Sequence, residues 1–349
     1  MYVHTNFRLN NKTFKSSNEL LAFSRSISIE IYSFMDDWFN DRDFIVVSTS
    51  GSTGKPKPIK LNKEFMINSA KATGAFFQLG ENTTALLCMP VNYIAGKMML
   101  VRAMTLGWHI DIVKPVANPL SKAKKNYDFS AMVPMQLQAS LKDLSKVKKL
   151  IVGGGVVSND LKKEIENCTT EIFATYGMTE TITHIAVKRL NKEGSENSFY
   201  KTLPNVTLDT DDRGCLIIKA QKVSEEVVVT NDIVELHSET SFEWLGRFDN
   251  IINSGGVKLN PEKIEEKLSN IIDERFFVTG VSDTVLGEKL ILVLEGDKTS
   301  KELLNIKKRL ESIETLGKYE KPKEVLAVSK FIETETKKIQ RKKTLDLIL

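Results

Sequence analysis

From residue 44 to about residue 187, short apolar runs alternate with longer amphipathic stretches. The runs at 44–47, 85–89, 109–113, 129–133, 149–152 and 171–175 are apolar almost throughout, as strands covered on both faces must be. Helical spacing fills the intervals at 62–78, 94–106, 134–141 and 159–167. This alternation predicts an α/β layer built on a mostly parallel sheet. After residue 187 the texture changes. Segments 206–209 and 215–220 flank the turn Thr210-Asp211-Asp212-Arg213-Gly214, and 227–230 and 233–236 follow, which reads as a β-rich subdomain. Asn260 and Pro261 then open a helix over 261–269. Strands at 275–281, 289–294 and 324–328, with helices at 301–313 and 341–349, complete a small α+β unit. The expected organisation is a large N-terminal domain over 1–246 and a small C-terminal mobile lid over 247–349, with a hinge near 247–250. Residues 20–39 read as one amphipathic helix.

Within this frame the segment Ser48-Thr49-Ser50-Gly51-Ser52-Thr53-Gly54-Lys55-Pro56-Lys57-Pro58 follows the first apolar run. Its glycines let the backbone approach anionic oxygens, its hydroxyls donate hydrogen bonds, and its lysines neutralise charge, a composition suited to a polyphosphate. It is not a Walker loop. Gly51 and Gly54 stand too close together, and Pro56 and Pro58 forbid an immediate helix. The string resembles the phosphate loop of the adenylate-forming superfamily, which includes acyl-CoA synthetases, luciferases and peptide-synthetase adenylation domains. The resemblance makes Ser50, Gly51, Ser52, Thr53, Gly54 and Lys55 nucleotide-binding residues, and it extends from about residue 44 to the C-terminus. Only 47 residues precede the loop, fewer than relatives have, so an abbreviated N-terminal region is expected.

Composition excludes several other classes. The 49 basic and 45 acidic residues nearly cancel, and the lysine-rich runs are spaced as solvated faces or helix ends, so no nucleic-acid partner is expected. No apolar run approaches the roughly 20 residues that span a bilayer, and the N-terminal stretch is polar, so neither membrane insertion nor a secretory leader is expected. Three scattered cysteines give no metal spacing or disulfide framework, which fits a reducing cytoplasm. The oligomeric state is open, a homo-oligomer included.

Five more elements carry the resemblance. Thr175-Tyr176-Gly177-Met178-Thr179-Glu180-Thr181 follows a strand. An aromatic there can lie against a base, a Thr hydroxyl can reach phosphate, and a Glu can hold Mg²⁺ beside it. The family's motif implies that Tyr176 stacks on adenine beside Gly177, that Thr179 contacts phosphate and that Glu180 helps bind Mg²⁺. Ala174 stands where many relatives carry Asn. Val152-Gly153-Gly154-Gly155 allows a flat ring close to the backbone, and in the family this stretch, here Gly154 and Gly155, walls the adenine pocket. Thr230-Asn231-Asp232 and Gly246-Arg247-Phe248-Asp249 can hold ribose hydroxyls. The resemblance assigns Asp232 and Arg247 to ribose and Asp249 to the hinge. The stretch from Ile251 to Glu265, containing Gly255 and Gly256, matches the loop and helix that help form the family's pantetheine tunnel. Thr336-Lys337-Lys338-Ile339-Gln340-Arg341 occupies the place of a lysine that enters the site during adenylation. Lys338 aligns with it, and Lys337 is the alternative.

By this resemblance the substrates are a carboxylic acid, ATP with Mg²⁺, and CoA. The acid attacks the α-phosphate, pyrophosphate leaves, and the thiol then displaces AMP. The stretch from Met89 to Arg102, with Tyr93 and Gly96, resembles the acyl pocket of o-succinylbenzoate–CoA ligases of menaquinone biosynthesis, as does Val133-Pro134-Met135-Gln136-Leu137. Relatives often carry His at the place of Tyr93. An acid with two carboxylates needs a cation in its acyl pocket, and Arg102 is the candidate, with Lys97 the alternative. Another aryl- or acyl-CoA ligase, or an adenylation enzyme loading a carrier protein, is the other reading. We expect Lys338→Ala to abolish adenylation while sparing thioester formation from preformed adenylate. Full ATP-dependent activity in that variant would remove the assignment.

Overall fold

In the computed structural model, residues 3–48, 58–192, 199–334 and 339–348 are described. The phosphate loop residues Ser50, Gly51, Ser52, Thr53, Gly54 and Lys55, and the lysines Lys337 and Lys338, lie outside them. The first part comprises β1 (Arg8–Leu9), α1 (Ser17–Ile27), α2 (Ile29–Phe39), β2 (Phe44–Ser48), β3 (Pro58–Asn62), α3 (Lys63–Phe77), β4 (Thr84–Leu87) and α4 (Ile94–Leu106). Then come β5 (His109–Ile112), β6 (Tyr127–Met132), α5 (Pro134–Ala139), β7 (Val147–Val152), α6 (Asn159–Ile165), β8 (Glu171–Gly177) and β9 (His184–Arg189). Strands β10 (Tyr200–Thr202), β11 (Thr207–Thr210), β12 (Cys215–Lys219), β13 (Val228–Ser238) and β14 (Ser241–Arg247) follow.

These strands, except β2 and β3, form one sheet of twelve in the order β1-β5-β4-β6-β7-β8-β9-β10-β14-β13-β12-β11. Pairing is parallel from β1 to β8 and antiparallel from β8 onward. The parallel half has helices on both faces, as its continuous apolar strands require. Met66, Ala70 and Phe77 of α3 and Met98 to Met104 of α4 fill one core, while Leu137 of α5 and Leu161 and Ile165 of α6 fill the other. The β-rich stretch is thus no separate sheet. It extends the parallel one, because β9 pairs with both β8 and β10.

Two local expectations are corrected. The run at 44–47 does not join the large sheet. As β2 it pairs antiparallel with β3, with Ser48 opposite Pro58, and its burial alternates. The helix expected over 20–39 is broken at Ser28, which ends α1 and caps α2 by accepting from the Ile31 N–H.

The remaining elements are β15 (Ile252–Ser254), β16 (Val257–Leu259), α7 (Pro261–Leu268), β17 (Phe276–Asp283), β18 (Gly287–Glu295), α8 (Ser300–Glu311), β19 (Glu324–Val328) and α9 (Arg341–Leu345). They form a separate, mostly antiparallel sheet of five strands with α7 and α8 on one face. Asn260 caps α7 as its sequence predicts, and its side-chain amide also donates to the Leu245 carbonyl of β14. Arg341, at the start of α9, donates to the Val278 carbonyl and pairs with Glu265 at 2.9 Å. Burial nevertheless raises the Glu265 carboxyl to about 7, against the lowering pull of Arg341. A carboxyl raised in the folded state contributes stability that is complete below its unfolded value and is lost as pH climbs through the folded one. Glu265→Gln should therefore match the wild type in acid and gain on it as pH rises from about 4.5 to about 7, read as the difference in melting temperature. A pH-independent difference would refute the raised carboxyl.

Candidate active site

The candidate residues gather where the parallel strands end. In open α/β sheets this edge faces ligands, because chain reversals leave backbone groups and loop side chains free there. Val133 follows β6, Gly153 to Gly155 follow β7, and Met178 to Glu180 follow β8, which ends on Gly177, side by side through the parallel register. The Gly153 N–H donates to the Met132 carbonyl, and a Cβ at Gly153 would lie 2.5 Å from Thr175 Oγ1. Gly154 has φ +81°, and both Gly154 and Gly155 are exposed. This strip of bare backbone faces solvent beside the Tyr176 strand end.

Gly177 is a position where only glycine fits. A Cβ there would meet the Thr183 carbonyl oxygen at 2.2 Å and His184 Cα at 2.4 Å. The chain between these contacts is a tight reversal: Thr179–Thr181 form a 3₁₀ turn and the Thr183 N–H donates to the Thr181 carbonyl at 2.7 Å. The residue between them, Ile182, takes φ 67° and ψ −60°, a costly conformation for a β-branched side chain, and is held by burial in the main core. The reversal leaves Thr179 half-buried and Glu180 exposed.

Asp232 is the polar centre of the site and is 7% exposed. Tyr176 donates its hydroxyl to Asp232 Oδ2 at 2.7 Å, and Trp244 donates its indole N–H to Oδ1 at 3.1 Å. Arg247 Nη1 lies 3.8 Å from the same carboxylate, and Arg247 Nη2 pairs with Asp249 at 3.0 Å. Asn231 also donates to Asp249. Burial, with the Asp232 charge beside it, pushes the Tyr176 phenol far above its ordinary value, so it stays a donor. The Tyr176 ring stands edge-on to Phe242, at 5.1 Å between centroids, and to Tyr200 at 5.9 Å. The structure therefore brings together Tyr176, Asp232, Arg247 and Asp249. Trp244, which the sequence reading missed, completes the set. Its only signal is its place one strand turn from Arg247, visible once β13 and β14 are paired.

The acyl-pocket candidates divide. Gly96 is packed against the preceding turn, where a Cβ would lie 2.3 Å from the Pro90 carbonyl oxygen. Tyr93 is exposed at the start of α4, and Arg102 lies about 14 Å further along the axis, taking 1.5 Å per residue. Arg102 is 1% exposed. Its guanidinium reaches Thr73 Oγ1 at 3.3 Å, Met99 Sδ at 3.9 Å and His184 Nδ1 at 3.4 Å, and among the described residues no carboxylate pairs with it. Burial lowers its pKa to about 9, which leaves it charged at neutral pH. Lys97 is instead set over the Phe34 ring. His184 was also missed by sequence reading, since a single His at a strand start carries no pattern.

Gly255 and Gly256 form the two-residue turn of the β15–β16 hairpin, with φ +59° and +81°, the left-handed pair that such a tight hairpin demands. Asp249 stands in the 3₁₀ turn just before that hairpin. Among the described residues no three His, Cys, Asp or Glu side chains gather as a metal cage. The exposed carboxylate of Glu180 fits Mg²⁺, which takes few protein carboxylates and completes its shell with phosphates and water. Burial pushes the Cys88 thiol up to about 12, far from a nucleophilic thiolate. No helix among the described residues is long and apolar enough to cross a membrane.

A family model described as AMP-binding enzyme matches residues 26–219, more than half of the chain. The chain belongs to the AMP-binding enzyme family. As a member it is an AMP-forming ligase. A 2-succinylbenzoate–CoA ligase from Staphylococcus epidermidis is 26% identical over 330 residues, covering 85% of this chain and 68% of the relative. Among solved structures, an acyl-CoA synthetase (AMP-forming)/AMP-acid ligase II-like protein from Dyadobacter fermentans is 38% identical, with 92% of this chain and 94% of that one covered and a TM-score of 0.60. The o-succinylbenzoate CoA synthetase (MenE) of Bacillus subtilis, in complex with ATP and magnesium ion, has a TM-score of 0.73 at 20% identity, over 97% of this chain and 83% of that one. That likeness is one of fold.

The hydrogen bonds of Asp232 predict an order of stability. Tyr176→Phe removes one donor and should cost about 1–3 kcal/mol. Asp232→Ala strands two half-buried donors and should cost more, about 2–4 kcal/mol, read from urea unfolding without nucleotide. Equal losses would show that the carboxylate is not the centre of the network.

Proposed function

We propose that this AMP-forming ligase is an acid–CoA ligase that adenylates o-succinylbenzoate and passes the acyl group to CoA. The observation that carries the choice of acid is the buried Arg102 guanidinium without a carboxylate partner among the described residues. Burying an uncompensated charge is expensive, and an acid bearing a second carboxylate offsets that cost when it binds. A fatty acid tail would meet the same charge unfavourably. The 2-succinylbenzoate–CoA ligases related by sequence support this reading.

In the proposed reaction the ring of adenine lies along Gly154, Gly155 and Tyr176, and Asp232 and Arg247 orient the ribose. Asp232 has lone pairs left after accepting from Tyr176 and Trp244, so it can take a ribose hydroxyl while fixed in place. Ser50 to Lys55 hold the β- and γ-phosphates. Thr179 and Glu180 hold the α-phosphate and Mg²⁺, which would neutralise phosphate charge there. The substrate carboxylate attacks the α-phosphorus, pyrophosphate leaves, and Lys338 stabilises the added charge. Rotation of residues 247–349 about Arg247 to Asn250, with Asp249 at the pivot, would exchange Lys338 for the Gly255-Gly256 hairpin and open a path for CoA. Catalysis is then positioning and charge stabilisation.

The test is AMP formation from ATP, Mg²⁺ and o-succinylbenzoate, with and without CoA, beside benzoate and fatty-acid controls. CoA-dependent turnover with o-succinylbenzoate alone is the expected result. Turnover on a control acid only would overturn the substrate and keep the ligase chemistry. Transfer to a carrier protein in place of CoA would overturn the acceptor.

A further inference from the structure

Side chains three residues apart on a regular strand point to opposite faces of the sheet. Trp244 and Arg247 of β14 do not. The β13–β14 register sets Asp232 against Arg247 and Ile233 against Gly246, then Val234 against Trp244, Glu235 against Glu243 and Leu236 against Phe242. Leu245 is therefore an extra residue with no partner across the ladder, a β-bulge. Were the pairing from Val234 continued without it, Asp232 would face Gly246, and Arg247 would stand against Asn231 on the other face. The bulge puts Trp244 and Arg247 together on the face of Asp232. It is held from outside the sheet. The Leu245 carbonyl accepts from the side-chain amide of Asn260 at 2.8 Å. Gly246 takes φ +145°, and a Cβ there would lie 2.7 Å from both Asn260 Nδ2 and Glu262 Oε2, so the start of α7 packs directly on the bulge.

The consequence falls on the Asp232 carboxylate. Tyr176 donates to Oδ2 at 2.7 Å and Trp244 to Oδ1 at 3.1 Å, one donor for each oxygen. The terminal torsion of an Asp side chain is soft, and two donors on different oxygens stop it turning. Arg247 Nη1, at 3.8 Å from Oδ1, lies beyond hydrogen-bond distance and supplies charge without orientation. Each oxygen keeps a further acceptor direction, which suits a pair of neighbouring hydroxyls. We propose that Trp244 is a positioning residue for nucleotide recognition: its N–H holds the Asp232 carboxylate in the orientation that accepts the two ribose hydroxyls, and the bulge capped by Asn260 aims it. This rests on the ribose contact of Asp232 proposed above. A carboxylate fixed before binding need not be immobilised by the ligand, and that advantage reaches only nucleotides that carry the hydroxyls.

The test is calorimetric titration of the purified full chain with ATP and with 2′,3′-dideoxy-ATP, each with Mg²⁺, which needs neither the acid nor CoA. The wild type should bind ATP more tightly than the dideoxy nucleotide. Trp244→Phe keeps an aromatic ring and loses the N–H. It should raise Kd for ATP about fivefold and leave Kd for 2′,3′-dideoxy-ATP within about twofold. Asn260→Asp keeps a capping oxygen for α7 and loses the amide donor to Leu245, so it should weaken ATP selectively by a smaller factor. A purely structural role for Trp244 would weaken both nucleotides alike, and that result overturns the proposal. A discriminating wild type with an unchanged ratio in Trp244→Phe defeats the Trp244 assignment alone, and an unchanged ratio in Asn260→Asp removes Asn260 from it. A wild type that binds both nucleotides equally defeats the ribose contact of Asp232 and this inference with it.

Discussion

Much of this molecule depends on how closely β9 folds back against Gly177. The sheet changes there from parallel to antiparallel pairing, and the reversal is so tight that no side chain fits at Gly177. From β4 to β8 the connections after β4, β6 and β7 each run through an α-helix, which leaves a row of strand ends open to a ligand. Beyond β8 the strands form hairpins, which bring β13 and β14, and with them Asp232, Trp244 and Arg247, back beside Tyr176. The same turn exposes Glu180 on one side and sets His184 on the other. Strain at Ile182 is the local cost of this geometry, and burial of its side chain in the main core offsets it.

Two buried polar groups then show opposite solutions to desolvation. The Asp232 carboxylate accepts from Tyr176 and Trp244, with Arg247 at longer range. It is stabilised before any ligand arrives. Arg102 is surrounded by a hydroxyl, a thioether and an imidazole, none of which carries negative charge at neutral pH. Among the described residues its charge meets no carboxylate. The carboxylate is saturated with partners, whereas the cation is packed among uncharged groups.

The C-terminal sheet shows how much can hang on short sequence signals. Two adjacent glycines with positive φ make the hairpin between β15 and β16 tight, and Asn260 both caps α7 and ties it to β14. Arg341 fastens α9 to Glu265 and Val278, which holds in place the chain that follows Lys338.

Local patterns determined a great deal. Continuous apolar runs required a parallel sheet with helices on both faces. The Asn-Pro pair required the start of α7, while Gly255 and Gly256 read as part of a loop until β15 is seen paired with β16 across them. The motif strings named Tyr176, Thr179, Glu180, Asp232 and Arg247 as one group through their resemblance to the adenylate-forming superfamily. Other features were not legible. Ser28 reads as part of an amphipathic helix until its hydroxyl is seen capping α2, and the run at 44–47 reads as buried until its partner proves to be β3. Trp244 and His184 carry no sequence pattern, because their partners Asp232 and Arg102 are 12 and 82 residues away. Arg102 could be chosen from its string, but not the imidazole of His184 that packs against its guanidinium. The sequence by itself determined which elements form and which chemical groups are available. Only the tertiary structure decided which buried charges are paired, because desolvation and pairing depend on what distant segments bring to the same place.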